Sequence, residues 1–148
     1  MNAAIRQATA PVYLLDQDDF QLLEPLDLSP GAELLIARPD VDIIRYSYYC
    51  HPLHGTKFNG KIDGWRQVNL SGTWPYGDDP QMRRLDFTER HGWYLEGGRH
   101  GMSEGEMLHR LIKNNAVIVA DDRSYFGHIG EVAAVPESVE CRERAVRR

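Results

Sequence analysis

The apolar positions of this chain fall into short segments rather than long periodic runs. Residues 11–15 are a compact apolar run closed by Asp16-Gln17-Asp18-Asp19, the pattern of a short strand ended by a turn. Residues 20–28 alternate apolar side chains with Glu24, Pro25 and Asp27, and Pro25 removes a backbone donor, so no helix is expected there. Ser29-Pro30-Gly31 reads as a turn. Residues 33–37 and 41–49 then read as the arms of a β-hairpin around Arg38-Pro39-Asp40, both rich in strand-forming residues. In the second arm Ile44, Tyr46 and Tyr48 alternate with Ile43, Arg45, Ser47 and Tyr49, giving one aliphatic and aromatic face and one mixed face.

Residues 50–80 are dense in Gly, Pro, Asn and Trp, with one strand expected over residues 65–70. Residues 82–94 suggest a strand pair around Arg90-His91-Gly92. One segment carries a helical period. Ser103 precedes Glu106 by three positions, the arrangement of a capping box. Met107, Leu108, Leu111 and Ile112 recur on one face, and Asn114-Asn115 ends the pattern. Ala116-Val117-Ile118-Val119-Ala120 is fully apolar and short enough for a buried strand. A further strand is expected within residues 125–135, broken at Gly127 or Gly130. The expected architecture is a single α+β domain over residues 11–136. It has a mainly antiparallel sheet of five to seven strands, one main helix packed on it and a loop-rich middle. Residues 1–10 are expected to be a flexible arm and residues 137–148 a charged tail.

Composition narrows the function classes. With 148 residues, 42% hydrophobic and 26% charged, the chain can bury a core without metal or disulfide support. The net charge of -5 argues against direct nucleic-acid binding, which requires a basic face. The acidic residues come in small groups (Asp16, Asp18, Asp19; Asp78, Asp79; Asp121, Asp122) that read as solvated turns. No apolar run approaches the roughly 18 residues of a membrane span, and residues 1–10 lack the apolar core of a signal peptide. A cytoplasmic protein is expected, with Cys50 and Cys141 as free thiols.

Candidate chemistry concentrates in residues 46–60, where a tyrosine-rich strand runs into a Pro/Gly loop. Cys50, His51 and His54 supply the ligand types zinc prefers, within five residues. A structural site needs four ligands and no second ligand pair is present, so the simpler reading is a cysteine packed at a strand end beside polar histidines. Glu96-Gly97-Gly98-Arg99-His100-Gly101 precedes the expected helix. Such a turn can cradle an anion through free N–H groups, although it lacks the Gly-Lys-Ser/Thr ending of a P-loop, and an ordinary glycine connection explains it as well. His91, His100 and His109, with Glu89, Glu96, Glu104 and Glu106 nearby, could furnish an acid–base pair.

His54-Gly55-Thr56, after a tyrosine-rich strand and before Asn59-Gly60, resembles the nicotinamide-binding strand end of ADP-ribosyltransferases. The resemblance covers about nine residues, and the family's Gly-x-Gly-x-Tyr-Phe motif is absent. It implies NAD as the cofactor, with His54 holding the ribose and amide. Tyr76 or Tyr125 would stack on the nicotinamide, and Glu131 or Glu137 would polarise the ribose.

Against these stands a reading without catalysis. Trp65, Trp74 and Trp93 all lie in the loop-rich middle, and aromatic side chains on loops suit protein recognition. The leading expectation is therefore a small acidic protein-binding module of the inhibitor, immunity or accessory type, with no cofactor. It would contact a basic partner through Tyr48, Trp65, Trp74, Tyr76, Asp78 and Asp79. The alternatives are an NAD- or nucleotide-using enzyme acting through His54, Tyr125 and Glu131, and a zinc-bearing module through Cys50, His51 and His54.

Overall fold

The computed structural model describes residues 2–47, 55–97 and 102–129. In chain order the elements are α1 (Asn2–Ile5), β1 (Val12–Leu15), β2 (Phe20–Leu22), α2 (Ser29–Ala37), β3 (Ile43–Arg45) and β4 (Phe58–Ile62). They continue with β5 (Trp65–Val68), β6 (Gln81–Arg84), α3 (Phe87–His91), α4 (Met102–Lys113), β7 (Ile118–Ala120) and β8 (Phe126–His128). Six strands form one mixed sheet in the order β1-β6-β3-β7-β5-β4, while β2 and β8 form a separate ribbon. Four of the five ladders in the large sheet are antiparallel; β3 and β7, at its centre, run parallel.

That central pair explains why the core has two sides. Side chains alternate across a strand, and a strand covered on both faces must be apolar throughout. Ile43 and Ile118 point to one face, where they meet Phe87 of α3 and Met107 and Leu111 of α4. Ile44 and Val119 point to the other, against Leu34 and Leu35 of α2, Tyr46, and Phe126 of the β2–β8 ribbon. All four central residues are buried. The first side is called here the helical face and the second the ribbon face.

Several local readings need correction. Residues 33–37 are not a hairpin arm but the second half of α2. Ser29-Pro30, read as a turn, opens that helix instead, because proline fits a helical first turn where its missing N–H has no partner to lose. Pro39 then disfavours helical geometry at Arg38, and the helix ends at Ala37. Gly31 is required in α2, since a Cβ there would collide with the Tyr46 hydroxyl. Residues 82–94 hold one strand, β6, and the short helix α3, in place of a strand pair. The sheet is mixed, its antiparallel ladders interrupted by the one parallel pair β3–β7, and α4 is one of four helices among the described residues. Residues 2–5, expected as part of a loose arm, form a helical turn whose Asn2 and Ile5 are buried; the Asn2 amide donates to Tyr94 O at 2.9 Å.

The expected main helix is α4. Met107 and Leu111 are fully buried and Leu108 packs at the margin of the core. Ile112 is 49% exposed, because at ~100° per residue it lies about 140° around the helix from Met107. The helix begins at Met102, so Ser103 lies inside the first turn rather than capping it. At its end Asn115 adopts φ 51°, and Ala116 N donates to Leu111 O at 2.9 Å, a left-handed stop of the kind asparagine tolerates. Among the described residues no helix is long and apolar enough to cross a membrane.

Candidate functional site

β3 ends in a charge. After Ile43 and Ile44, Arg45 keeps the helical-face orientation of Ile43, and its side chain is 3% exposed. Its register partner Gln81, and Arg83 two positions on, present the same face of β6. Three polar side chains thus replace apolar ones on two neighbouring strands. A buried guanidinium is retained only with partners, and the partners come from the connection between β5 and β6.

That connection folds its last residues over the strand ends. Arg45 Nη1 donates to Trp74 O at 3.2 Å and Pro75 O at 3.3 Å, and Arg45 Nη2 is in direct contact with Asp79 Oδ2. Thr56 Oγ1 donates to the same Trp74 carbonyl at 3.0 Å. The Gln81 amide donates to Gly77 O and Asp79 O, and Asp78 N donates to Glu104 Oε1 in the first turn of α4. Beneath the loop, Tyr76 and Tyr94 both donate to Asp78 Oδ1, at 2.7 and 2.9 Å. Arg83 Nη2 donates to the Tyr76 oxygen at 2.9 Å and lies 3.8 Å from Asp78 Oδ1. Burial raises both tyrosines above the ordinary phenol range, so both remain protonated donors.

The cluster is incompletely satisfied. Asp79 Oδ1, Arg45 Nε and Arg83 Nη1 are buried with no hydrogen-bond partner. Three carboxylates (Asp78, Asp79, Glu104) face two guanidiniums (Arg45, Arg83), leaving an excess negative charge. Burial raises the Asp79 carboxyl to about 6, against the lowering effect of Arg45, with Asp78 and Glu104 adding to the rise.

The loop presents Trp74 to solvent. The residue is 59% exposed and has φ 49°, a left-handed conformation that is uncommon for a bulky residue. Such geometry persists where its surroundings over-determine it, and two buried donors hold the Trp74 carbonyl here.

The structure divides the residues singled out from sequence. Trp74, Tyr76, Asp78 and Asp79 come together in one loop. Tyr76 and Asp78 are buried and Asp79 is mostly so, a correction to the expectation of a solvated acidic turn: the arginines of β3 and β6 draw these groups inward. Trp65 belongs to the opposite, ribbon face, where it and Tyr125 pack edgewise on Tyr46 with ring centroids 6.2 and 6.3 Å apart. Tyr48, Cys50, His51, His54 and Glu131 lie outside the described residues, as do His100, Glu137, Cys141 and Gly98, Arg99 and Gly101 of the glycine-rich turn. Of the remaining histidines, His91 is buried against Asp42 at 2.9 Å, and His109 is exposed on α4. Among the described residues no group of three or more His, Cys, Asp or Glu is placed to hold a metal ion.

Sequence reasoning missed Arg45, Gln81, Arg83 and Tyr94, and it singled out Glu104 and Thr56 only for other chemistry. A signal was present in two of them: Arg45 closes the apolar run of β3, and Arg83 takes an inward position of Gln81-Met82-Arg83-Arg84. No family profile, curated protein or solved structure matches the chain.

Proposed function

We propose that this chain is a small acidic protein-binding module, of the inhibitor, immunity or accessory type, whose contact surface centres on Trp74. The observation that carries the reading is an exposed tryptophan on backbone fixed from below by Arg45 and Thr56. Tryptophan is enriched among residues that dominate binding energy. A side chain whose backbone is already ordered loses less conformational entropy on association, so more of its contact energy appears as affinity. The net charge of -5 favours a basic partner and speeds encounter with it. Asp78 and Asp79 do not supply that steering from an open surface; they hold the loop that carries the anchor.

The test has two stages. A photo-reactive amino acid placed at exposed Thr73, beside the anchor, is used to crosslink and identify the partner in host lysate. The purified pair is then titrated by calorimetry with wild-type protein and with Trp74→Ala. A loss of about 2 kcal/mol or more, with the folded stability unchanged, is expected for a central anchor. Equal affinity of the two proteins would remove Trp74 from the interface and the reading with it.

A further inference from the structure

We infer that Asp79 is a proton-controlled latch on the Trp74 loop, closed when its carboxyl is protonated and loosened when it ionises. The argument begins with the count of charges. Arg45 reaches Asp79 from β3, Asp78 adjoins it on the same loop, and Glu104 faces it from the first turn of α4. Arg83, from β6, is engaged by Asp78 and the tyrosines rather than by Asp79. The closed loop therefore buries a carboxylate held by one guanidinium, with two further carboxylates close by. One of its oxygens, Oδ1, has no hydrogen-bond donor. A buried carboxylate with one oxygen unsatisfied and like charges beside it, even when ion-paired, favours uptake of a proton or access of water.

Lifting the loop supplies water to both Asp79 and the Arg45 guanidinium beneath it. It also gives up the bonds to the Trp74 and Pro75 carbonyls, which releases the left-handed conformation of Trp74. The sign follows from linkage. The closed state binds the proton at about 6, whereas a solvated carboxyl binds it near 3.8, so closure is favoured by acid. As the pH rises from about 3.8 to about 6 the equilibrium moves toward the loosened loop, by up to ~100-fold, and it levels off above that. The ion pair with Arg45 thus restrains the loop less than protonation does. The latch rests on the Trp74 reading only for its effect on binding, where it implies tighter association under mildly acidic conditions. The motion itself needs no partner.

The experiment follows the Trp74 indole N–H resonance of the full 15N-labelled chain between pH 5 and 8, assigned with Trp74→Phe. Amide protection factors across residues 74–79 are measured in parallel. Wild-type protein is expected to show a Trp74 shift centred near pH 6 and lower loop protection above it. Asp79→Asn, neutral at every pH, should show neither and should keep the acid-state protection throughout. Glu104→Gln removes one neighbouring charge while keeping an acceptor for Asp78 N, and should move the midpoint to lower pH; it serves as well if Asp79→Asn does not fold. The same titration in Asp79→Asn, an unmoved midpoint in Glu104→Gln, protection that rises with pH, or no titration in the wild type would each overturn the latch. A flat titration beside intact Trp74-dependent binding removes the latch alone. A titrating loop on which no partner depends removes the binding reading alone.

Discussion

The two ends of β3 each hold a buried carboxylate, and they are built differently. At the amino end, Asp42 Oδ1 pairs with Arg90 Nη1 at 2.7 Å and meets His91 Nε2 at 2.9 Å. Its Oδ2 accepts from Val117 N at 2.8 Å, and the other nitrogen of His91 meets the Asn114 amide at 3.3 Å. Both carboxylate oxygens are engaged, and the cluster ties α3, α4 and β7 to β3. At the carboxyl end, Asp79 leaves one oxygen and Arg45 one nitrogen without a partner. A buried polar group without a partner costs about 1–3 kcal/mol relative to one that is paired. The complete site serves the fold. The incomplete one lowers stability, and it lies under the single strained, exposed tryptophan of the described residues. The difference separates polar groups that hold the structure from polar groups that hold the proposed contact surface.

Changes at the two ends should accordingly differ in size and in sign. Removing Asp42 takes the partner from Arg90, His91 and Val117 N beside a buried strand, and Asp42→Ala is expected to lose about 3–5 kcal/mol of unfolding free energy in urea titrations. Leu111→Ala sets the apolar reference. The side chain is fully buried, and a loss of about 2–5 kcal/mol is expected; less than half a kcal/mol would mean that α4 does not anchor the helical face. The Asp79 end should respond to pH instead. Its raised carboxyl contributes stability that is fully present below about 3.8 and is lost as the pH rises through about 6. The difference in stability between wild type and Asp79→Asn should therefore move by about 3 kcal/mol over that window, in favour of the variant at neutral pH. A variant that is instead less stable at pH 7 by as much as Asp42→Ala would abolish the distinction between the two ends. The smallest effect is expected at the tip. Trp74→Ala should change stability by less than about 0.5 kcal/mol, as for an exposed position, even where it abolishes binding.

Which of these features could be read from the chain depended on how local their causes are. β1, β5, β7 and α4 follow from short patterns: an apolar run bounded by turns, or a period of 3.6 with asparagines at the end. The β4–β5 hairpin was equally local. Asp63 and Gly64 both have positive φ between Ile62 and Trp65, the preference of a two-residue Asp-Gly turn, but the glycine-rich surroundings hid it. α2 was obscured because Glu33-Leu34-Leu35-Ile36-Ala37 suits either a strand or a buried helix, and only packing on Tyr46 and Met82 selects between them. The parallel pairing of β3 and β7 has no local signature. The same holds for the site. Tyr76-Gly77-Asp78-Asp79 looks like a solvated turn until Arg45 and Arg83 are placed beneath it, and each of those reaches the loop from a different strand. Trp74 was among the expected contact residues. The reason for its rigidity lay in residues that sequence pattern did not connect.

The parallel pair at the centre of the sheet also bears on how the protein is made. Asp42, just before β3, bonds to Val117, just before β7, across 75 positions of chain, and each residue of β3 meets its partner in β7 at the same separation. Contacts this distant close slowly, because the intervening chain loses its freedom before the contacts form, and proteins rich in them fold in milliseconds to seconds rather than microseconds. During synthesis the ribosome must release nearly the whole described domain before β7 can fill its place. Until then β3 carries an open edge of Ile43, Ile44 and Tyr46, apolar and strand-forming, with nothing beside it on that flank. The nascent chain thus passes through an interval in which a strand destined for the centre of the sheet has one edge unprotected. Temperature and chaperone supply during expression should govern the yield of this protein more strongly than the stability of its finished fold.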